Sequence, residues 1–166
     1  MTPTPETLFL IANSAALIGW IALIFFPKQR FVTNLLLPVV GCGSLAVLYL
    51  LVMLRFAGEA EGGFTSLDDV ESLFRDRGVL LAGWVHYLVF DLFVGCWQVR
   101  DARQLGISHW WVIPALLLTF MVGPIGLLVY YLIRLGATRQ FAIGEFPPAA
   151  TLSGESTPAR ETENAD

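Results

Sequence analysis

The sequence predicts an all-α, polytopic membrane protein with four transmembrane helices and one short amphipathic helix between the second and the third. Composition points first to this class, because the 166 residues are 55% hydrophobic and have a mean hydropathy of +0.65. Only 14% of the residues are charged, against about 25% in a typical soluble domain. The apolar residues are also gathered into long runs, which favours burial in lipid.

Four apolar runs have the length of a membrane crossing: residues 7–26, 35–54, 79–99 and 111–133. A run of about 20 residues matches a hydrocarbon core about 30 Å thick when it forms a helix. The four runs contain no lysine or arginine, and Asp91 is their one acidic residue. A helix also satisfies its own backbone hydrogen bonds, as lipid requires. We therefore predict a four-helix transmembrane domain over residues 1–140.

The first run is interpreted as a retained helix and not as a cleaved secretory signal. The residues before it carry no basic side chain, the run is longer than a signal core, and Phe26-Pro27-Lys28 is not a small-residue cleavage site. A plastid transit peptide would be a segment rich in arginine and serine, and we see no such segment before this run. We expect an integral, multi-pass protein of the bacterial inner membrane, with the lipid bilayer as its surroundings.

The segment between the second and third runs predicts the amphipathic helix, residues 66–76. Ser66 is the expected N-cap, with Asp69 three residues later. Apolar side chains then recur at helical spacing and oppose an acidic face. We expect this helix to lie at the membrane surface and to pack over the bundle as a lid. The last segment, 141–166, is rich in proline, serine, threonine and acids and is predicted to be a disordered tail.

Charge and cysteine content narrow the function classes. A net charge of −4 without a basic cluster argues against nucleic-acid binding. Cys42 and Cys96 each lie inside an apolar run and are interpreted as small packing residues, not as a disulfide or a metal pair. We expect neither a metal site nor a cofactor.

The basic residues determine the orientation in the membrane only weakly, because they are divided almost evenly between the two sides. Lys28, Arg30, Arg100 and Arg103 fall in two loops on one side, which the positive-inside rule places in the cytoplasm. Five further arginines fall on the other side: Arg55, Arg75, Arg77, Arg134 and Arg139.

His86 and Asp91, in the third run, are the candidate catalytic residues. An aspartate near the membrane centre costs roughly 2.5–3.5 kcal/mol on insertion scales, so a retained one indicates a use. The two side chains are about 140° apart on a helical wheel, and both can line a broad interior groove. In the functional interpretation they form an acid–base pair within an apolar pocket.

A structural interpretation remains open for both residues. By depth in the membrane, His86 is level with Asn13 and Tyr49, and Asp91 is level with Ser44 and Thr119. A protonated Asp91 that bonds Ser44, Thr119 or Tyr87 would only fix helix packing, and His86 could bond Asn13 in the same way.

Two further features have open interpretations. Gly123-Pro124-Ile125-Gly126 should kink or open the fourth helix near mid-membrane, which either widens a pocket or makes a packing bend. Asp101 follows the third run beside Arg100 and Arg103 and is interpreted as a solvated ion pair, worth under about 1 kcal/mol.

Several motifs together resemble the abscisic-acid-deficient-four family of neoxanthin-synthase-like membrane proteins. The similarity spans roughly 7–133 and rests on Phe64-x-Ser66-Leu67, on Trp84-Val85-His86-Tyr87-x-x-Phe90-Asp91-Leu92-Phe93-Val94-Gly95, on Asp101 and on Gly123-Pro124-x-Gly126-Leu127-Leu128. The resemblance implies a carotenoid or other isoprenoid ligand, and other carotenoid enzymes as partners. It also implies that His86, Asp91 and Asp101 occupy the positions of the family's motif residues.

The chemistry implied by the resemblance is conversion of an epoxide into an allenic alcohol, an isomerisation without a redox cofactor. Asp91 would be the proton donor and His86 the base. The aromatic side chains Trp84, Tyr87, Phe90 and Phe93 would shape a slot for the polyene, and Asp101 would hold a terminal hydroxyl. The alternative is a non-enzymatic scaffold, pigment carrier or accessory subunit of carotenoid metabolism.

Overall fold

The computed structural model describes residues 3–56, 58 and 60–139, and all regular secondary structure among them is helical. The all-α prediction is therefore confirmed, whereas the predicted disordered tail lies outside the described residues. The helices are α1 Pro5–Phe25, α2 Val32–Phe56, α3 Leu67–Arg75, α4 Arg77–Gln104, α5 His109–Val122 and α6 Pro124–Thr138.

Three of these helices, α1, α2 and α4, are long and apolar enough to cross a membrane. They contain 21, 25 and 28 residues and correspond to the first three predicted spans. α1 starts where the Thr4 hydroxyl accepts a hydrogen bond from the backbone N–H of Thr7. Pro5 occupies the first turn, where a missing N–H costs nothing.

The first part of α2, Val32–Gly41, is a π-helical stretch that contains Pro38. Proline has no N–H to donate to the carbonyl four residues earlier, and a locally wider helix accommodates it. The guanidinium of Arg103 donates to the hydroxyl of Thr33 at 3.1 Å and to the side-chain oxygen of Asn34 at 3.1 Å. These bonds tie the start of α2 to the end of α4.

The two ends of the bundle are defined by such contacts. At one end, the start of α1 and the start of α4 are joined by an ion pair of 2.7 Å between Glu6 and Arg77. α2 finishes there too, with Phe56 packed against Gly78. We call this end the α3 end. The opposite end, where α1 and α4 finish and residues 26–31 link α1 to α2, is called the loop-1 end.

α3 begins at the predicted place. The Ser66 hydroxyl accepts a hydrogen bond from the backbone N–H of Asp69 at 3.1 Å. Hydrogen bonds from the Thr65 and Ser66 hydroxyls hold the pKa of the Asp69 carboxyl below its usual value. Leu73 is buried, whereas Leu67 is exposed. That α3 rests on a membrane surface remains a prediction.

α4 is the central helix, because it contacts each of the other five. Its buried face packs with residues of α1, α2 and α5 into one core that includes Ala12, Ala16, Leu23, Val52, Leu88, Leu92, Val112 and Leu116. Many large apolar side chains instead cover the outside, among them Ile18, Leu54, Phe90, Met121 and Leu132. Such an apolar exterior is typical of a surface in contact with lipid.

The segment predicted as the fourth spanning helix differs from the prediction, because it forms the two helices α5 and α6. They have 14 and 15 residues. The break falls at Gly123, inside the predicted Gly-Pro motif, and its backbone φ of +49° is a conformation that favours glycine. The chain does not continue in its former direction but turns back.

α5 and α6 therefore form an antiparallel pair, which we call the hairpin. His109, at the start of α5, lies 3.0 Å from the carbonyl of Ile24 near the end of α1. Tyr130, well along α6, bonds Asp101 near the end of α4 at 2.6 Å. The two helices approach so closely that a Cβ at Gly126 would clash with the backbone of Thr119.

Candidate functional site

A groove of about 630 Å³ lies between α2, α3 and α4. We call it the groove. Its walls are largely apolar and aromatic and include Tyr49, Met53, Leu73, Phe74, Gly83 and His86. α3 borders the groove on one side and α2 on the other.

His86 lies in the wall of this groove with an exposed side chain. Its ring centroid is 5.7 Å from that of Tyr49 and 4.6 Å from that of Phe90. Within the described part of the chain, the imidazole makes ring contacts but no hydrogen bond to protein. Both ring nitrogens therefore keep their capacity to bond a ligand.

The expected partner of His86 on α1 is engaged elsewhere. Asn13 accepts a hydrogen bond from the indole N–H of Trp84 at 3.1 Å and donates to the carbonyl of Phe9 at 2.7 Å. The predicted bond between His86 and Asn13 is not formed, whereas Tyr49 does meet His86 at the level expected.

Asp91 lies on a different side of α4, at the tip of the hairpin. A Cβ at Gly123 would lie 3.1 and 3.2 Å from the two oxygens of its carboxyl group. The Oδ2 atom is buried and has no hydrogen-bond partner among the described residues. One turn away, the Tyr87 hydroxyl donates to the carbonyl of Phe120 at 3.0 Å. The structure thus does not bring Asp91 and His86 into a common cavity.

The predicted clamp partners of Asp91 are also engaged elsewhere. The Ser44 hydroxyl is exposed and donates to the carbonyl of Gly41 within its own helix at 2.9 Å. The Thr119 hydroxyl accepts a hydrogen bond from Gln98 at 2.9 Å. The predicted level of Thr119 was wrong, because Thr119 lies beside Gln98, seven residues beyond Asp91 in α4.

The four aromatic residues predicted to shape one slot do not converge. Trp84 faces α1, with its ring 5.8 Å from Phe9, and Tyr87 faces α5. Phe90 and Phe93 are 57% and 50% exposed on the outer face of α4. Of the four, Phe90 touches the groove, through its contact with His86.

Asp101 is not the solvated ion pair with Arg100 and Arg103 that we expected. It is buried, and its Oδ2 atom accepts hydrogen bonds from the Tyr130 hydroxyl at 2.6 Å and from Arg134 Nε at 3.0 Å. The expectation was wrong because it placed Arg134 on the opposite side of the membrane. The hairpin returns Arg134 to the loop-1 end, where it meets Asp101. The Oδ2 atom of this carboxylate is therefore already engaged by protein.

Gln98 is a buried polar residue that was not among the predicted site residues. It is fully buried, and its Nε2 atom donates to the Thr119 hydroxyl at 2.9 Å and reaches the carbonyl of Gly126 at 3.5 Å. The signal was an amide within an apolar run, since a buried amide needs partners on neighbouring helices. With Asp101, Thr119, Tyr130 and Arg134 it forms a set that we call the buried polar network.

The family model for ABA DEFICIENT 4-like proteins matches residues 7–130. The chain belongs to the ABA4-like family. This confirms the resemblance inferred from the motif residues. Membership supports a carotenoid- or abscisic-acid-related membrane protein at the level of the family. No curated protein and no solved structure matches the chain.

The family match covers the groove and nearly all of the buried polar network. Within residues 3–56, 58 and 60–139, no group of three or more His, Cys, Asp or Glu residues is placed to hold a metal ion. Cys42 and Cys96 are buried free thiols. Because its lining is largely apolar and aromatic, the groove is the candidate site for an apolar ligand.

Proposed function

We propose that this ABA4-like protein binds one end of a carotenoid or similar isoprenoid in the groove. One observation carries the proposal: an imidazole without a hydrogen bond to the described protein stands in the wall of an apolar, aromatic cavity. Groups of this kind orient ligands in mostly hydrophobic sites.

The dimensions and chemistry of the groove support this ligand class. Its volume of about 630 Å³ lies within the ordinary range of small-molecule sites, and we place one end ring and the first part of the polyene in it. The remainder of the ligand would extend from the groove into the surrounding lipid. Tyr49 and Phe74 supply aromatic surface, and His86 supplies a hydrogen bond to a hydroxyl, keto or epoxide oxygen on the end ring.

Binding, and not isomerisation, is the function that the geometry supports best. Opening an epoxide to an allenic alcohol needs a proton donor and a base at the same part of the ligand. Among the described residues lining the groove none is an aspartate or glutamate, and Asp91 lies at the hairpin tip instead. A pigment carrier or accessory subunit of carotenoid metabolism fits this arrangement.

One observation favours the isomerase as second candidate. Asp91 Oδ2 is buried without a hydrogen-bond partner in the described part of the chain, so this acid is not used up by helix packing. Conversion of an epoxy-carotenoid by the purified protein, lost in Asp91→Asn, would establish the enzyme. An epoxy-carotenoid that stays bound to the purified protein without being converted would establish the carrier.

Pigment retention tests the binding proposal directly. The full chain is expressed in a carotenoid-producing bacterium, purified in mild detergent, and its bound pigment is extracted and measured. His86→Ala removes a ring contact and a hydrogen bond, together worth about 1–2 kcal/mol, so retained pigment should fall roughly tenfold.

The matched control is Phe93→Ala, which removes an exposed aromatic ring from the same helix outside the groove lining. It should retain pigment at the level of the unmodified protein. Equal pigment in His86→Ala and Phe93→Ala would refute the groove as the binding site.

A further inference from the structure

The hairpin starts and finishes at the same end of the bundle. α5 begins at His109, against the end of α1, and α6 carries Arg134 to Asp101, near the end of α4. Its tip, Gly123, lies against Asp91, which is halfway along α4. A fourth spanning helix would instead have carried Tyr130 and Arg134 to the α3 end.

The lengths of α5 and α6 agree with this path. Helices of 14 and 15 residues are roughly 21–23 Å long, which is short of a hydrocarbon core about 30 Å thick. Each can reach the membrane centre and neither can cross.

The buried polar network explains why the hairpin is stable at this depth. Gln98 bonds one residue in each of the two helices, Thr119 in α5 and Gly126 in α6. Nearer the loop-1 end, the ion pair between Asp101 and Arg134 holds the last part of α6 against α4. Irregular backbone is tolerated within a membrane where protein surrounds it, and α4 supplies that surrounding.

We propose that the hairpin is re-entrant: it enters and leaves the membrane at the loop-1 end, so the chain crosses the membrane three times. Residues 3–4 and residue 139 then lie on opposite sides. The loop-1 end faces the cytoplasm, and the groove opens towards the other leaflet.

With the re-entrant path, the basic residues are distributed unevenly between the two sides of the membrane, and this distribution indicates the orientation. Six of the described basic residues now belong to the loop-1 end: Lys28, Arg30, Arg100, Arg103, Arg134 and Arg139. Three belong to the α3 end, namely Arg55, Arg75 and Arg77, beside the acidic residues Glu6, Glu61, Asp68, Asp69, Glu71 and Asp76. The positive-inside rule therefore places the loop-1 end in the cytoplasm.

The location of the groove then has a consequence for its ligand. The groove lies at the α3 end, bordered by α3 and by residues 60–64. An isoprenoid would therefore enter sideways from the leaflet that faces away from the cytoplasm. This consequence rests on the proposed function, whereas the number of crossings does not.

Single-cysteine labelling of the full chain tests the path. In a background with Cys42→Ala and Cys96→Ala, one cysteine is placed at each of three exposed positions: Glu61, Gln29 and Arg139. A membrane-impermeant maleimide is added to bacterial spheroplasts before or after permeabilisation. Glu61→Cys should react at once, and Gln29→Cys and Arg139→Cys should react after permeabilisation.

Labelling of Arg139→Cys together with Glu61→Cys would overturn the re-entrant hairpin, because that is the four-span result. Labelling of Gln29→Cys and Arg139→Cys at once, with Glu61→Cys protected, would keep three crossings and overturn the leaflet assignment. A reporter on the last residue of the full chain gives a second reading. Green fluorescent protein should fluoresce there, and active alkaline phosphatase there would overturn the proposal.

Pigment retention by the Gln29→Cys and Arg139→Cys variants, whose substituted positions lie away from the groove, separates the two proposals. Variants that keep the predicted labelling pattern but bind no pigment would count against the groove alone. Variants with bound pigment and the four-span pattern would count against the hairpin alone.

Discussion

The two faces of α4 differ in how their polar side chains are bonded, with Asp91 at the hairpin tip as an exception because its Oδ2 atom has no partner among the described residues. Towards the hairpin, Gln98 and Asp101 are buried and bonded to side chains of α5 and α6. Towards the groove, His86 has aromatic neighbours and no hydrogen bond to the described protein. Within the hairpin, α5 and α6 pack closely against each other, whereas the groove face of α4 leaves about 630 Å³ open.

The difference separates polar residues that hold the fold from those that remain for a ligand. In a membrane both kinds are costly, so cost alone does not indicate function. A polar group whose hydrogen bonds are all made by protein cannot bond a ligand. A group with unused hydrogen-bonding atoms can. Asp101 serves the fold through its bonds to Tyr130 and Arg134, although it belongs to the same set of family motif residues as His86.

Removing the carboxylate of Asp101 should have the largest effect. Asp101→Leu removes the buried carboxylate that pairs with Arg134, and breaking one partner of a buried pair costs about 3–5 kcal/mol. We expect a large drop in the melting temperature of the detergent-solubilised protein, measured by size-exclusion chromatography after heating.

The double variant Asp101→Leu with Arg134→Leu is the matched control. Because both charges are gone, it should recover much of the stability lost in the single variant. If Asp101→Leu were as stable as the unmodified protein, the hairpin face would not be the structural one.

Changes at Gln98 should have the next largest effect. Gln98→Leu leaves the Thr119 hydroxyl and the Gly126 carbonyl without the amide, at a cost of about 1–3 kcal/mol. Thermal stability should fall, while pigment retention per folded molecule should not change.

The contrast with the groove face is sharpened by combining two experiments. His86→Ala should lose pigment at unchanged thermal stability, the opposite of Gln98→Leu. If both variants lost stability and pigment in the same proportion, the two faces of α4 would not have separate roles.

The smallest effect concerns the cap of α3. Because hydrogen bonds hold the pKa of Asp69 below its usual value of 3.8, the stabilisation they give is present above that value. It is lost as the pH falls through the lowered native pKa. Below that pH, α3 should loosen over the groove, seen as faster pigment loss in acid. Asp69→Asn should abolish this pH dependence, and a dependence that persisted in Asp69→Asn would have another source.

Several elements were correctly predicted from local sequence because their causes are local. A long apolar run has to form a helix in lipid, which accounts for α1, α2 and α4. Ser66 caps α3 through a bond to a residue three positions away, and the break at Gly123 follows from glycine next to proline. Motif residues likewise sufficed to recognise the family.

The path of the chain after Gly123 and the roles of its polar residues were decided by tertiary structure alone. A glycine and a proline mark a break, but the direction taken next depends on partners far away in sequence, above all Gln98 and Asp101. That direction brings Arg134 to Asp101 and Gly123 to Asp91, and His86 keeps its open groove on the other face of α4. Local sequence thus determines where helices form, and packing between distant segments determines which polar groups stay free.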